Sequence, residues 1–234
     1  MRESIKKTLI IFILLFTSSS IFSQTSKYRI YGKSYNMQVY DENNNKITNF
    51  KNWERVDGLF VSPDNSKMLV WHRPDKARAY LITLYDLKTN SIIAECEPGW
   101  ACFGVRWTKD YLIYIWATTG GGTRFEYRNY KTLAVEKTIN AYFEFEDEEN
   151  NILIGASFFY CDNDIVFYNF SDGTKLKTIN LIDVLEQKGI YSSGTSISDI
   201  KKIGTKKYEF DVSYYLNKEG MEDKEHQIVL EFEI

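Results

Sequence analysis

Apolar and polar residues alternate in short blocks along most of the chain. Val56 to Val61, Lys67 to Trp71, Tyr80 to Tyr85 and Ser91 to Cys96 are runs of six residues or fewer, rich in β-branched and aromatic side chains. Polar clusters such as Ser62-Pro63-Asp64-Asn65-Ser66 separate them. Short runs of that composition bounded by turn residues predict β-strands. Phe103 to Trp107, Tyr111 to Ala117, Arg124 to Tyr127 and Ala134 to Ile139 form a second set of four, with Thr108-Lys109-Asp110 as the first turn. A third set is Tyr142 to Phe145, Asn151 to Phe158, Ile165 to Phe170 and Lys175 to Ile179. An incomplete unit over 27–50 precedes them, and Ile197 to Ile203, Lys207 to Leu216 and Gln227 to Ile234 follow. One segment breaks the pattern. Asn180 suits an N-cap, Gly189 a C′ position, and the spacing predicts a short helix near 181–188 whose apolar face plugs a gap between units or covers a binding face.

The sets are repeats. Val39-Tyr40-Asp41, Leu84-Tyr85-Asp86, Tyr127-Arg128-Asn129 and Phe167-Tyr168-Asn169 each end a strand before a polar turn and a further strand. Anchored on Tyr40, Tyr85, Arg128 and Tyr168, they are spaced by 45, 43 and 40 residues. Four strands per period of that length predict an all-β chain, a small β-propeller of about five four-stranded antiparallel units, with a four-bladed or incomplete ring as the alternative. Ser62-Pro63-Asp64 before an apolar strand, with Leu84-Tyr85-Asp86-Leu87 later in the same unit, resembles a blade of the WD40-like or TolB-type β-propellers. The resemblance rests on that blade of about 45 residues; Thr108-Lys109-Asp110 keeps only the aspartate, and the last unit keeps neither motif. It implies a binding scaffold and no particular activity.

Residues 1–23 read differently from the rest. Arg2, Lys6 and Lys7 precede the unbroken apolar run Leu9 to Phe16, polar Thr17 to Ser20 follow, and Ser23 suits cleavage before Gln24. That is the pattern of a signal peptide, and it predicts a single domain over 24–234 in the periplasm or outside the cell. No other stretch is long and apolar enough to span a bilayer, so no membrane span is expected after cleavage. The whole chain carries −3; without the net +2 of the leader it carries −5. A mildly acidic chain excludes general nucleic-acid binding, where basic surface supplies most of the affinity. Cys96, Cys102 and Cys161 allow at most one disulfide, with Cys96 and Cys102 the near pair. His72 and His226 are the only histidines and no CxxC occurs, so no zinc site, metal or cofactor is expected.

The chain has no GxSxG, HExxH, GxGxxG or P-loop, and no catalytic residue is assigned. Gly120-Gly121-Gly122 reads as a loop. Asp41, Asn43 and Asn45 have the spacing that opens a calcium loop, but Lys46 and Asn52 occupy its glycine and glutamate positions. The acids at 144 and 146–149 read as a solvated turn. In a propeller the loops between blades and those joining the middle strands share one face. There Trp53, Trp100 and Tyr142 fall at matching stations, and His72, Arg73, Lys76 and Arg78 concentrate positive charge in one loop. Trp53, Arg73, Arg78, Trp100 and Tyr142 are therefore the candidate ligand contacts, for a protein, peptide or glycan of the envelope or cell surface. The competing reading has the three aromatics wedged between blades as packing. An enzymatic alternative, a small five-bladed glycoside hydrolase with carboxylates at a channel mouth, would have only Asp57, Glu144 and Asp199 to draw on.

Overall fold

A computed structural model describes residues 29–31, 38–40, 43–44, 53–74, 79–99, 102–119, 121–141, 143–156, 164–216 and 225–234. The leader, Arg78, Trp100, Tyr142, Cys161 and most of the Asp41–Asn45 turn lie outside the described residues. Strands β1 (Arg29–Tyr31) and β2 (Gln38–Tyr40) pair as a hairpin. Next come β3 (Trp53–Val61), β4 (Lys67–Pro74), β5 (Leu81–Asp86) and β6 (Ser91–Cys96). A second blade holds β7 (Gly104–Trp107), β8 (Tyr111–Ala117), β9 (Thr123–Asn129) and β10 (Val135–Ala141). A third holds β11 (Phe143–Asp147), β12 (Ile152–Ala156), β13 (Asp164–Asn169) and β14 (Lys175–Asn180). Helix α1 (Leu181–Gln187) leads to a last sheet of β15 (Ser192–Gly204), β16 (Lys207–Leu216) and β17 (Glu225–Glu233). Each sheet is antiparallel and in chain order: among the described residues the first has two strands, the next three have four each, and the last has three.

The middle strands explain the unbroken apolar runs. All of β12 is buried, as are Leu112 to Trp116 of β8, because a blade packs on both of its faces. Leu69, Ile82 and Leu84 of the first blade pack with Leu112, Tyr114 and Trp116 of the second. Ile113, Phe125 and Tyr127 on the other face meet Leu153 and Phe170 of the third. Ile152, Ile154, Ile165 and Phe167 then meet Tyr208, Phe210, Val212 and Leu230 of the last sheet. The fourth strands β10 and β14 are mostly exposed, with Ile139, Ala141 and Ile179 their buried members.

Turn chemistry explains the repeat anchors. The carboxylate of Asp86 accepts from the amides of Lys88 and Thr89 at 2.8 and 2.9 Å. Asn129 accepts from the Lys131 amide at 2.8 Å and Asn169 from the Ser171 amide at 3.0 Å. Four residues after Asp86, Asn129 and Asn169, the residues Asn90, Leu133 and Gly173 take left-handed backbone with φ of 54°, 58° and 69°. Each of these three hairpins then carries a register shift. This is a turn followed by a bulge, and a side chain that mimics a backbone turn is what Asp and Asn supply. The Ser-Pro-Asp turn works the same way: Ser62 Oγ donates to Asp64 Oδ1 at 2.6 Å, and the Ser66 amide donates to the same oxygen at 3.0 Å. Those bonds, the Ser62 hydroxyl first, hold the Asp64 carboxyl at about 2.

Helix α1 fits its prediction. Asn180 accepts from the Asp183 amide at 3.1 Å, and Gly189 follows with φ of 76°. Leu181 and Leu185 are buried and Val184 packs on the same core, so the helix fills the gap between the third blade and the last sheet. Ser192 to Gly194 belong to β15, because the long β16 provides a partner for them.

Candidate functional site

Antiparallel meanders put four kinds of strand end on one rim: where first strands begin, second strands end, third strands begin and fourth strands end. Trp53 opens β3 opposite Pro74, and Arg55 pairs with Arg73, so Trp53 and Arg73 sit at this rim on neighbouring strands. Two further aromatics stand at equivalent stations. Phe103 immediately precedes β7 and is 72% exposed; Tyr191 immediately precedes β15 and is 68% exposed. Tyr142, just before β11, occupies the same station in sequence. Phe103 and Tyr191 are absent from the sequence-derived set, whose matching stations are Trp53, Trp100 and Tyr142, because both stand just before a first strand whose start only the fold reveals.

The basic loop is smaller than the sequence suggests. His72 and Arg73 belong to β4, not to a loop beginning at 72. His72 is 3% exposed, and its Nε2 lies 2.7 Å from Thr83 Oγ1, whose hydroxyl donates to Glu95 Oε2 at 2.6 Å. With the threonine proton committed to Glu95, the ring nitrogen is the donor to Thr83. Burial pushes the imidazole below its usual range, against a weaker pull from Glu95. His72 is therefore neutral at pH 7 and adds no charge to the rim. Arg73, Lys76 and Arg78 remain as the cationic members.

Between the first two blades, just inside the rim, lie two free thiols. Cys96 Sγ accepts from Arg128 Nη1 at 3.4 Å, and Cys102 donates to the Gly104 carbonyl at 3.3 Å. Burial pushes Cys96 up and Cys102 up to about 12, so neither is a ready nucleophile. Glu144 accepts from the Thr123 hydroxyl at 2.8 Å, and Asp199 pairs with Lys201 at 3.3 Å. Glu144 and Asp199, on which the enzymatic alternative would draw, thus have structural partners. Among the described residues, no group of three His, Cys, Asp or Glu is placed to hold a metal. No helix among them is long and apolar enough to cross a membrane.

These repeated antiparallel meanders, packed blade against blade, have the architecture of a β-propeller. No strand pairing among the described residues joins the first blade to the last. No protein-family model and no curated protein matches the chain. Solved structures similar to it include BamB from Moraxella catarrhalis, at 10% identity, covering 81% of this chain and 58% of that one with a TM-score of 0.45. The WD40 domain of Toxoplasma gondii coronin is similar at 10% identity over 87% of this chain and 53% of its own, with a TM-score of 0.41. An uncharacterized protein of Listeria monocytogenes EGD-e is similar at 15% identity over 86% and 61%, with a TM-score of 0.42. The chain spans about half to three fifths of the length of these proteins.

Proposed function

We propose that the protein is an exported, non-enzymatic interaction module that binds a protein, peptide or glycan of the envelope or cell surface through this rim. The observation that carries the reading is the exposure of Phe103 and Tyr191 at equivalent stations, on the rim where Trp53 and Arg73 are neighbours. Large apolar side chains are costly to leave in water, and aromatic and arginine residues dominate binding energetics where they occur together. Trp100, Arg78 and Tyr142 complete the proposed surface.

Alanine variants separate contact from packing. Phe103→Ala and Arg78→Ala are expected to keep the melting temperature within about 2 °C and to lower recovery of envelope material on the immobilised protein tenfold or more, the size of a hot spot of about 2 kcal/mol. Trp100→Ala is expected to behave the same way. Full recovery with all three variants would overturn the rim as a binding surface. Unfolding of Trp100→Ala alone, which a buried tryptophan would produce at a cost of about 3–5 kcal/mol, would move that residue to the packing reading. Export rests on residues 1–23, and N-terminal sequencing of protein from fractionated cells should begin near Gln24; an intact Met1 in the cytoplasm would remove the envelope from the proposal.

A further inference from the structure

The rim divides by charge. From the end of β6 onward its exposed carboxylates are Glu95, Glu97, Glu144, Asp183, Glu186 and Glu225. The topology brings them to one side of the molecule. Glu95 and Glu97 stand at the end of a fourth strand, Glu144 at the start of a first, and Glu225 at the start of a third. Asp183 and Glu186 lie on the connection from β14 to β15. Against them the described part of this sector sets only Lys188, which is exposed, and Arg124, which is half-buried and 3.3 Å from Glu126. Among the described residues none of the six is paired with a lysine or arginine; Glu95 and Glu144 accept from the hydroxyls of Thr83 and Thr123. The connections from β12 to β13 and from β16 to β17 do not reverse the sign, since their sequence holds Asp162, Glu219, Glu222 and Asp223 against Lys218 and Lys224. The whole chain carries only −3, so its negative charge is concentrated here.

The exposed aromatics share this sector. Phe103 follows Glu97 on the way from β6 to β7, and Tyr191 follows Glu186 on the way from β14 to β15. Tyr215, 37% exposed, ends beside Tyr191, because the Ser192 hydroxyl donates to the Tyr215 carbonyl at 3.0 Å. We infer that this sector docks a surface of another protein that is rich in arginine and lysine. Aromatic faces and carboxylates have one complement in common, since a guanidinium stacks on a ring and pairs with a carboxylate. An acidic peptide, an anionic polysaccharide or a phosphate headgroup is repelled by the same six groups, and a neutral glycan gains nothing from them. Arg73 and the loop of Arg78 stand over the first blade, outside the sector, and would meet a different part of the partner. Rim charges of this kind act chiefly on the association rate and on its dependence on salt. The inference rests on the rim being the binding surface and adds the chemistry of what binds there.

The test titrates the full chain with a labelled peptide of six Gly-Arg repeats. Saturable binding is expected, weakened about tenfold or more between about 50 mM and about 500 mM salt. Glu97→Gln, Glu144→Gln and Glu225→Gln combined should weaken it about fivefold or more at the lower salt, and Phe103→Ala should weaken it too. Asp110→Asn, Glu136→Gln and Glu233→Gln combined remove the same charge from exposed positions on the opposite rim and should leave binding unchanged. No saturable binding, equal loss in that control, equal binding of a Gly-Glu peptide, or displacement by a neutral glucose hexasaccharide overturns the inference. The salt series and the Gly-Glu peptide need only the wild type, so the charge argument stays testable if a triple variant does not fold. Recovery of envelope material separates this inference from the reading beneath it. Recovery undiminished by the rim triple variant but lost with Phe103→Ala would overturn the basic partner and leave the rim in place.

Discussion

Arg128→Met is expected to destabilise the protein by about 3–5 kcal/mol, the usual cost of leaving one member of a buried ion pair behind. Arg128 and Glu126 are 4% and 6% exposed, and two guanidinium nitrogens donate to Glu126 Oε2, one of them at 3.0 Å. The third, Nη1, donates to the Leu133 carbonyl at 2.8 Å, and the guanidinium lies 5.2 Å over the Tyr114 ring. The variant strands the Glu126 carboxylate with only Arg124, 3.3 Å from its other oxygen. For a chain of this size, 2–4 °C per kcal/mol gives a fall in Tm of roughly 6–20 °C in a thermal melt. Adding Glu126→Leu to Arg128→Met should restore most of that loss, because the pair is then replaced by apolar volume. A double variant no better than the single would show that Arg128 acts through the Leu133 carbonyl and not through Glu126.

Asp147→Ala should cost about 3 kcal/mol by loosening the third blade from the last sheet. This buried carboxylate accepts from Tyr208 Oη at 2.7 Å and Lys202 Nζ at 3.1 Å across the interface, and from the Asn150 side chain at 2.8 Å in its own turn. Without it the Tyr208 hydroxyl, on a fully buried ring, loses its acceptor. Burial alone would push the Asp147 carboxyl up, but the bonds from Asn150, Tyr208 and Lys202 outweigh it and hold the group at about 2. A carboxyl depressed in the folded state adds stability above its ordinary value of 3.8, and the gain is lost as pH falls from there through about 2. Denaturant titrations from pH 5 to pH 2 should therefore show the wild type losing stability more steeply than Asp147→Ala. Parallel curves would mean that Asp147 has no part in the acid limb.

The Asp and Asn anchors could be read from the chain because their work is local: Asp86, Asn129 and Asn169 close turns with amides two or three residues away. Helix α1 was legible for the same reason, since Asn180 and Gly189 act within one turn of it. The apolar runs of the middle strands marked blades because burial on both faces leaves no room for alternation. The local pattern did not reveal Arg128 as a buried ion. In the sequence it is simply the repeat's aromatic position occupied by arginine, and its partners come from Glu126 on the same strand and the Leu133 carbonyl beyond the turn.

His72 reads as a loop cation until β4 and β5 are paired and Thr83 and the dry interior meet it. Phe103 and Tyr191 could be ranked as rim aromatics only once the strand starts were known, since exposure depends on what the neighbouring blades leave uncovered. The sequence by itself determined the repeat, its strand count, its turns and the helix, all of which rest on contacts a few residues apart. The tertiary structure alone decided which charges are buried and which aromatics face water. Burial and desolvation are set by blades some 40 residues away in the chain, and no local pattern carries that information.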